Sequence, residues 1–137
     1  MKMIMHIKSQ KGASAVEFAL LLPVLILILF GTIEFGLLLY NQQVITNASR
    51  EGARAGIVAQ TPRVSESEIE TVVLNYCGTN LVTFGAYAAP AVNVSSTGNM
   101  FGDDLTVRVT FDYTFLVLSS LGFGPRQLVG RTLMKLE

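Results

Sequence analysis

The feature that most constrains this chain is an apolar run from Ala13 to Tyr40, ASAVEFALLLPVLILILFGTIEFGLLLY, whose only charged residues are Glu17 and Glu34 and whose only proline is Pro23. As a helix it reaches roughly 40 Å, more than the hydrocarbon core of a bilayer requires. A secretory signal has an apolar core of only about 7–15 residues followed by a small-residue cut site. Here the run passes instead into YNQQVITNASREGARAG, which keeps helical character. The sequence thus predicts one membrane-spanning helix that continues beyond the bilayer as a stem.

Charge placement orients it. Lys2, Lys8 and Lys11 precede the run, whereas Arg50, Arg54 and Arg63 follow it, interleaved with Glu51, Glu66 and Glu68. Positive charge concentrates on the cytoplasmic side of such helices, so the N-terminus is expected inside and the C-terminal part outside, periplasmic or extracellular. Over all 137 residues, ten Lys and Arg balance ten Asp and Glu. No bulk electrostatic pull toward nucleic acid follows from that balance. Cys77 and His6 are each the single residue of their type. No intrachain disulfide can form, no transition-metal ligand set is visible, and Cys77 is expected to be a buried or half-buried small hydrophobe. No cofactor is called for.

Pro23 has no N–H to give the carbonyl of Ala19, so a kink or local melting is expected there. Membrane helices tolerate this where neighbouring helices satisfy the freed groups. Glu17 is the most informative residue. A carboxylate near the start of a membrane helix is costly unless it is paired, protonated or close to headgroup water. Two readings stand: Glu17 marks the helix N-terminus, where the macrodipole favours negative charge, or it pairs with a cation from another molecule. Glu34, near the outer end, is expected at the interface as a boundary or partner-facing charge.

Taken together, QKGASAVEFALLLP resembles the processing region of prepilins of the type IV filament superfamily. In order and spacing, GASAVEFALLLPVL, GTIEFGLLLYNQQ and NASREGARAG resemble the N-terminal domain of TadE-like proteins of tight-adherence (Flp) pilus systems, over about residues 10–57. The resemblance implies a minor pilin or pseudopilin whose leader, residues 1–12, is cut after Gly12 by a prepilin peptidase. Ala13 would then be the mature N-terminus and Glu17 the fifth residue. The first mature residue is often Phe in major pilins, and Ala13 departs from that. The implied setting is the bacterial inner membrane, with other pilins or minor pilins and inner-membrane assembly proteins as partners beside the lipid bilayer. The alternative is an uncleaved single-pass scaffold or assembly factor of a pilus or secretion machine. Independently of the family, an ammonium created at Ala13 in a low-dielectric setting needs a carboxylate partner. Glu17 of a neighbouring subunit would serve.

Beyond the membrane, residues 41–60 form a juxtamembrane stem. Ala48, Gly52 and Ala55 or Gly56 recur at spacings of three and four, a small-residue stripe on one helix face. That stripe packs either on the chain's own domain or on another subunit. Arg50, Glu51 and Arg54 make a charged edge, solvated or partner-facing. Thr61 and Pro62 then end the helix.

Residues 61–137 read as a small exported α+β domain. SESEIETVVLNYCG is a second helix with Ser65 as N-cap and Glu68 three residues on; Ile69, Val72, Val73 and Tyr76 would form its buried face. Gly78 to Pro90 gives no firm signal, and Val92 to Ser96 suits a short strand. In LTVRVTFDYTFLV, Leu105, Val107, Val109, Phe111, Tyr113, Phe115 and Val117 alternate with polar residues, which predicts a half-buried strand. After the turn-prone SSLGFGPR, the stretch QLVGRTLMKLE is expected to return antiparallel to it. Phe115 to Phe123 is apolar for the approach to a turn: it either closes the domain core or touches the membrane or a neighbour. Asp103 and Asp104 beside Gly102 are ordinary turn carboxylates. No catalytic set assembles, so the chain is not expected to be an enzyme.

Overall fold

The computed structural model describes the backbone of residues 8–84 and 88–137, and side chains over the same ranges from residue 12 onward. Lys2 and His6 of the expected leader lie outside the described residues, as does the middle of the Gly78–Pro90 stretch. By internal contacts the chain divides into two units, Met1–Ile33 and Glu34–Glu137.

One helix, α1, runs Lys8–Ile57 with Pro23 inside it. The helix assignment is unbroken at Pro23, so the expected local melting does not occur. Almost every residue from Gly12 to Ile33 is exposed. The helix is long and apolar enough to cross a membrane, and its most apolar window buries nothing within the chain. A core helix of a water-soluble protein of this length would hide such a face; this one leaves it uncovered within the chain.

From Glu34 onward the same helix turns amphipathic. Glu34, Asn41, Ile45, Ala48, Gly52 and Gly56 are buried at steps of seven, four, three, four and four, which keeps one helix face inward, and Val44, Ser49 and Ala53 beside them are buried too. Upon this face lie helix α2, Glu66–Asn80, and a sheet of three antiparallel strands, β1 Ala91–Ser96, β2 Asp104–Tyr113 and β3 Arg126–Lys135, in the order β1-β2-β3. The α+β architecture read from the sequence is the one observed.

Strand β2 sits centrally because its period-two face is the most apolar in the domain: Leu105, Val107, Val109, Phe111 and Tyr113 are all buried. They pack with Ile45, Ala48 and Ala53 of α1, Ile69, Val73 and Cys77 of α2, and Leu128. The strand ends at Tyr113, earlier than the alternation implies. Phe115 and Val117 leave the ladder, and a one-turn 3₁₀ helix follows at Leu118–Leu121.

Helix α2 begins as its sequence says. The Ser65 hydroxyl accepts from Glu68 N–H and the Glu68 carboxylate accepts from Ser65 N–H, completing a capping box. That pairing, through its backbone hydrogen bond first, holds the Glu68 carboxyl below its ordinary pKa. Its buried face differs in detail from expectation: Ile69 and Val73 are buried, Cys77 joins them, and Val72 and Tyr76 are half-buried. Inward positions at 69, 73 and 77 are one helical stripe. The helix runs two residues past Gly78 before Leu81 closes it.

The small residues of the stem explain how close the layers come. A Cβ on Gly52 would collide with Val73 Cγ2, and one on Gly56 would lie 2.6 Å from both Ile69 Cδ1 and Leu105 Cδ2. The tightest approach is Gly130 of β3, where an added Cβ would sit 2.5 Å from the Ile45 carbonyl oxygen and 2.7 Å from its carbon. Backbone meets backbone there, so β3 lies directly along α1. Gln42 Nε2 donates to the Val129 carbonyl at 2.9 Å, Ser49 and Thr132 hydroxyls are 2.7 Å apart, and Glu137 N–H donates to the Ile57 carbonyl at 3.1 Å.

Candidate functional site

The residues singled out in the sequence separate into two sets, one on each unit. In Met1–Ile33, Gly12, Ala13 and Glu17 lie on consecutive helical turns and are exposed, as are the apolar side chains around them, Val16, Phe18, Leu20 and Leu21. Gly12 has open space where a Cβ would stand. Glu17 has no hydrogen-bond or ion-pair partner among the described residues. A carboxylate on an apolar, uncovered helix surface is costly in a bilayer unless it is paired, protonated or close to headgroup water.

Glu34 is different in every respect. It is 2% exposed, and its carboxylate takes three consecutive backbone N–H groups from the segment after β2. Oε1 accepts from Leu116 and Val117, each at 2.5 Å, and Oε2 accepts from Leu118 at 3.1 Å. These are the donors that a starting 3₁₀ or α turn leaves without partners, and gathered around an anion they form a nest that binds negative charge. The partner-facing role expected for Glu34 is therefore replaced by an internal one. The carboxylate ends β2 by drawing the next three N–H groups onto itself.

Tyr113 stands at the same place. It is 1% exposed and makes an edge-on contact with Phe115, ring centroids 5.4 Å apart at 89°. Its hydroxyl finds no hydrogen-bond partner among the described residues. Burial first, and the nearby Glu34 charge second, raise its pKa.

Asn41, one step along the same face, was not foreseen. It is fully buried and grips Val82 at both backbone groups: Nδ2 donates to the Val82 carbonyl at 2.7 Å, and Val82 N–H donates to Oδ1 at 3.0 Å. The chain leaving α2 is thereby fastened to α1. Its signal in the sequence is spacing alone: Glu34 and Asn41 share the helix face that Ala48, Gly52 and Gly56 mark as buried.

That stripe itself packs within the chain. Ala48 is 0% exposed, Gly52 and Gly56 are buried, and Ala55 is half-buried. Of the two surfaces the sequence left open, the close approach seen is to the chain's own α2 and sheet. Arg50, Glu51 and Arg54 are exposed; Arg50 Nη1 donates to Asn47 Oδ1 at 3.4 Å. Cys77 is buried, as expected, and burial pushes its thiol up to about 11. Among the described residues, no three His, Cys, Asp or Glu side chains gather as a metal site.

Against known proteins, the family model for TadE-like protein matches residues 12–54. No curated protein and no solved structure gives a significant match. The matched segment begins at the glycine of the expected cut and takes in Glu17, Pro23, Glu34, Asn41 and, of the small-residue stripe, Ala48 and Gly52. Residues 12–54 are thus similar to the TadE-like family, a likeness consistent with a TadE-like protein of Tad (Flp) pilus systems.

Proposed function

We propose that the chain is a minor pilin or pseudopilin that contributes to assembly of a tight-adherence pilus. A prepilin peptidase cuts after Gly12, Ala13 becomes the N-terminus, and Glu17 pairs with the N-terminal ammonium of a neighbouring subunit. The role is structural rather than catalytic. The other pilins or minor pilins of the system and its inner-membrane assembly proteins are the partners.

The observation that carries this reading is the exposed Glu17 on an uncovered apolar helix face, four residues beyond Ala13 and within the TadE-like segment. A charge with no partner of its own, on a surface built to be covered, suits an intersubunit pair. In a low-dielectric contact, removing one member of such a pair leaves the other stranded at a cost of about 3–5 kcal/mol, far above that of an exposed surface pair.

Mass spectrometry of the N-terminus, from cells with and without the peptidase, tests the cut. The expected mature chain begins at Ala13 only when the peptidase is present, and Gly12→Val blocks its appearance. An unprocessed chain in both strains would leave an uncleaved membrane scaffold as the better description. The pairing is tested separately by Glu17→Gln, which should remove the chain from co-purified pilin complexes while its membrane level stays unchanged.

A further inference from the structure

The segment joining β2 to β3 carries large apolar side chains in the open: Leu116 is 54% exposed, Leu121 52% and Phe123 58%. A domain whose core already holds Leu105, Val107, Val109 and Phe111 of the preceding strand has no internal need for them. Exposed apolar groups clustered on one short loop mark a surface that something covers.

Glu34 fixes where this loop lies. By holding the N–H groups of Leu116, Val117 and Leu118, it ties the loop to one particular turn of α1. The same turn also carries exposed apolar groups of its own, Phe35 at 60% and, one turn on, Leu39 at 49%. At the other end of the sheet, Glu137 is tied to Ile57, and the β1–β2 turn is tied to Leu136 through Gly102. The sheet thus runs alongside α1 from Glu34 to Ile57, a rise of roughly 35 Å. Its two ends stand at very different distances along the helix.

Glu34 is also the first buried residue of the helix, where its fully uncovered apolar stretch gives way to one with an inward face. From Ala13 to Ile33 the helix rises roughly 30 Å, the thickness of a hydrocarbon core. A loop pinned to residue 34 is therefore held at the level where the helix leaves the hydrocarbon. Exposed Arg126 follows the loop at the start of β3, a cation suited to lipid phosphate.

We propose that the 116–123 loop is a membrane-interface element, with Leu116, Leu121 and Phe123 seated in the headgroup and acyl boundary of the leaflet from which α1 emerges. The occupant of this apolar surface is lipid. Glu34 is the latch that holds the loop there. The proposal rests on α1 spanning the bilayer, but not on the pilin reading or on cleavage at Gly12.

The chain contains no tryptophan, so single-tryptophan variants report one position each. The full chain is reconstituted into phosphatidylcholine–phosphatidylglycerol vesicles whose acyl chains carry bromine either near the glycerol or near the bilayer centre. Three variants are compared: Phe123→Trp on the loop, Phe101→Trp at the far end of the sheet, where Phe101 is 86% exposed, and Leu25→Trp within the apolar run. Leu25→Trp should be quenched most by deep bromine, which establishes insertion. Phe123→Trp should be quenched most by shallow bromine, at least about twofold more than Phe101→Trp, because interfacial groups reach only about 5–10 Å into the boundary. If Leu25→Trp is quenched and Phe123→Trp is quenched no more than Phe101→Trp, the loop is not in lipid and the proposal is overturned. A blue-shifted Phe123→Trp that bromine does not quench would place protein over the loop, and would overturn the assignment to lipid. An unquenched Leu25→Trp would overturn the spanning helix itself, and the proposal with it. Leu121→Trp, run in parallel, should follow Phe123→Trp.

Discussion

Two glutamates on one helix, seventeen positions apart, have opposite fates. Glu17 sits exposed among exposed apolar neighbours with no partner among the described residues. Glu34 is buried and holds three backbone N–H groups of its own chain. The difference lies in what surrounds each, because the carboxylate is the same. Where the helix carries no inward face, the charge stays available for another molecule. Where it does, the charge is consumed in building the domain. An acidic residue in a largely apolar helix is thus no guide to function until its backbone surroundings are known.

This contrast is broken or sharpened by substitutions ranked by their expected cost to folding of the Glu34–Glu137 unit. The greatest loss is expected from Gly130→Val, which drives a side chain into the Ile45 backbone; overpacking against backbone that cannot yield costs about 3 kcal/mol or more, read as a lowered denaturation midpoint. Glu34→Ala comes next. It strands the N–H groups of residues 116–118, and since a buried unsatisfied donor costs about 1–3 kcal/mol, a loss of that order is expected even after water recovers some of them. Ser65→Ala removes the capping-box hydroxyl and should cost about 1 kcal/mol. Lys135→Ala cuts the 3.0 Å pair with Asp104, whose side chains are 71% and 37% exposed, and should cost about 0–1 kcal/mol. Each is measured by chemical denaturation followed by circular dichroism.

A pH titration reports on the core independently. The Cys77 thiol is raised from 9.0 to about 11 in the folded chain by burial. The unfolded thiol ionises first, so this contribution is complete below pH 9.0 and is lost as pH rises toward about 11. Tyr113, raised in the same direction, adds to the alkaline loss. Unfolding midpoints should therefore fall over that window, and Cys77 should resist thiol reagents at neutral pH until the chain is unfolded.

How much of this was written in the sequence depends on whether the partner of each residue is itself a side chain. The β2 face from Leu105 to Tyr113 was legible because alternation records burial directly. The capping box was legible because both members are letters three apart. The stripe of Ala48, Gly52 and Gly56 showed that something approaches closely, but not whether it was the chain's own α2 or a second subunit. Glu34 and Asn41 were misread or missed because they bind main-chain groups of residues 116–118 and 82, and backbone N–H and C=O groups are common to every residue. The same cause explains why β2 stops at Tyr113. The alternation continues through Phe115 and Val117, but a distant carboxylate claims the N–H groups the ladder would need.

The most direct test of the contrast is to make Glu17→Gln and Glu34→Ala separately in the full chain and measure two quantities on each. These are the denaturation midpoint of the Glu34–Glu137 unit and recovery of the chain in the complexes with other pilins proposed above. The account predicts that Glu17→Gln leaves the midpoint where it was and abolishes recovery, whereas Glu34→Ala lowers the midpoint. A Glu17→Gln chain that unfolds early, or a Glu34→Ala chain as stable as the original, would contradict it.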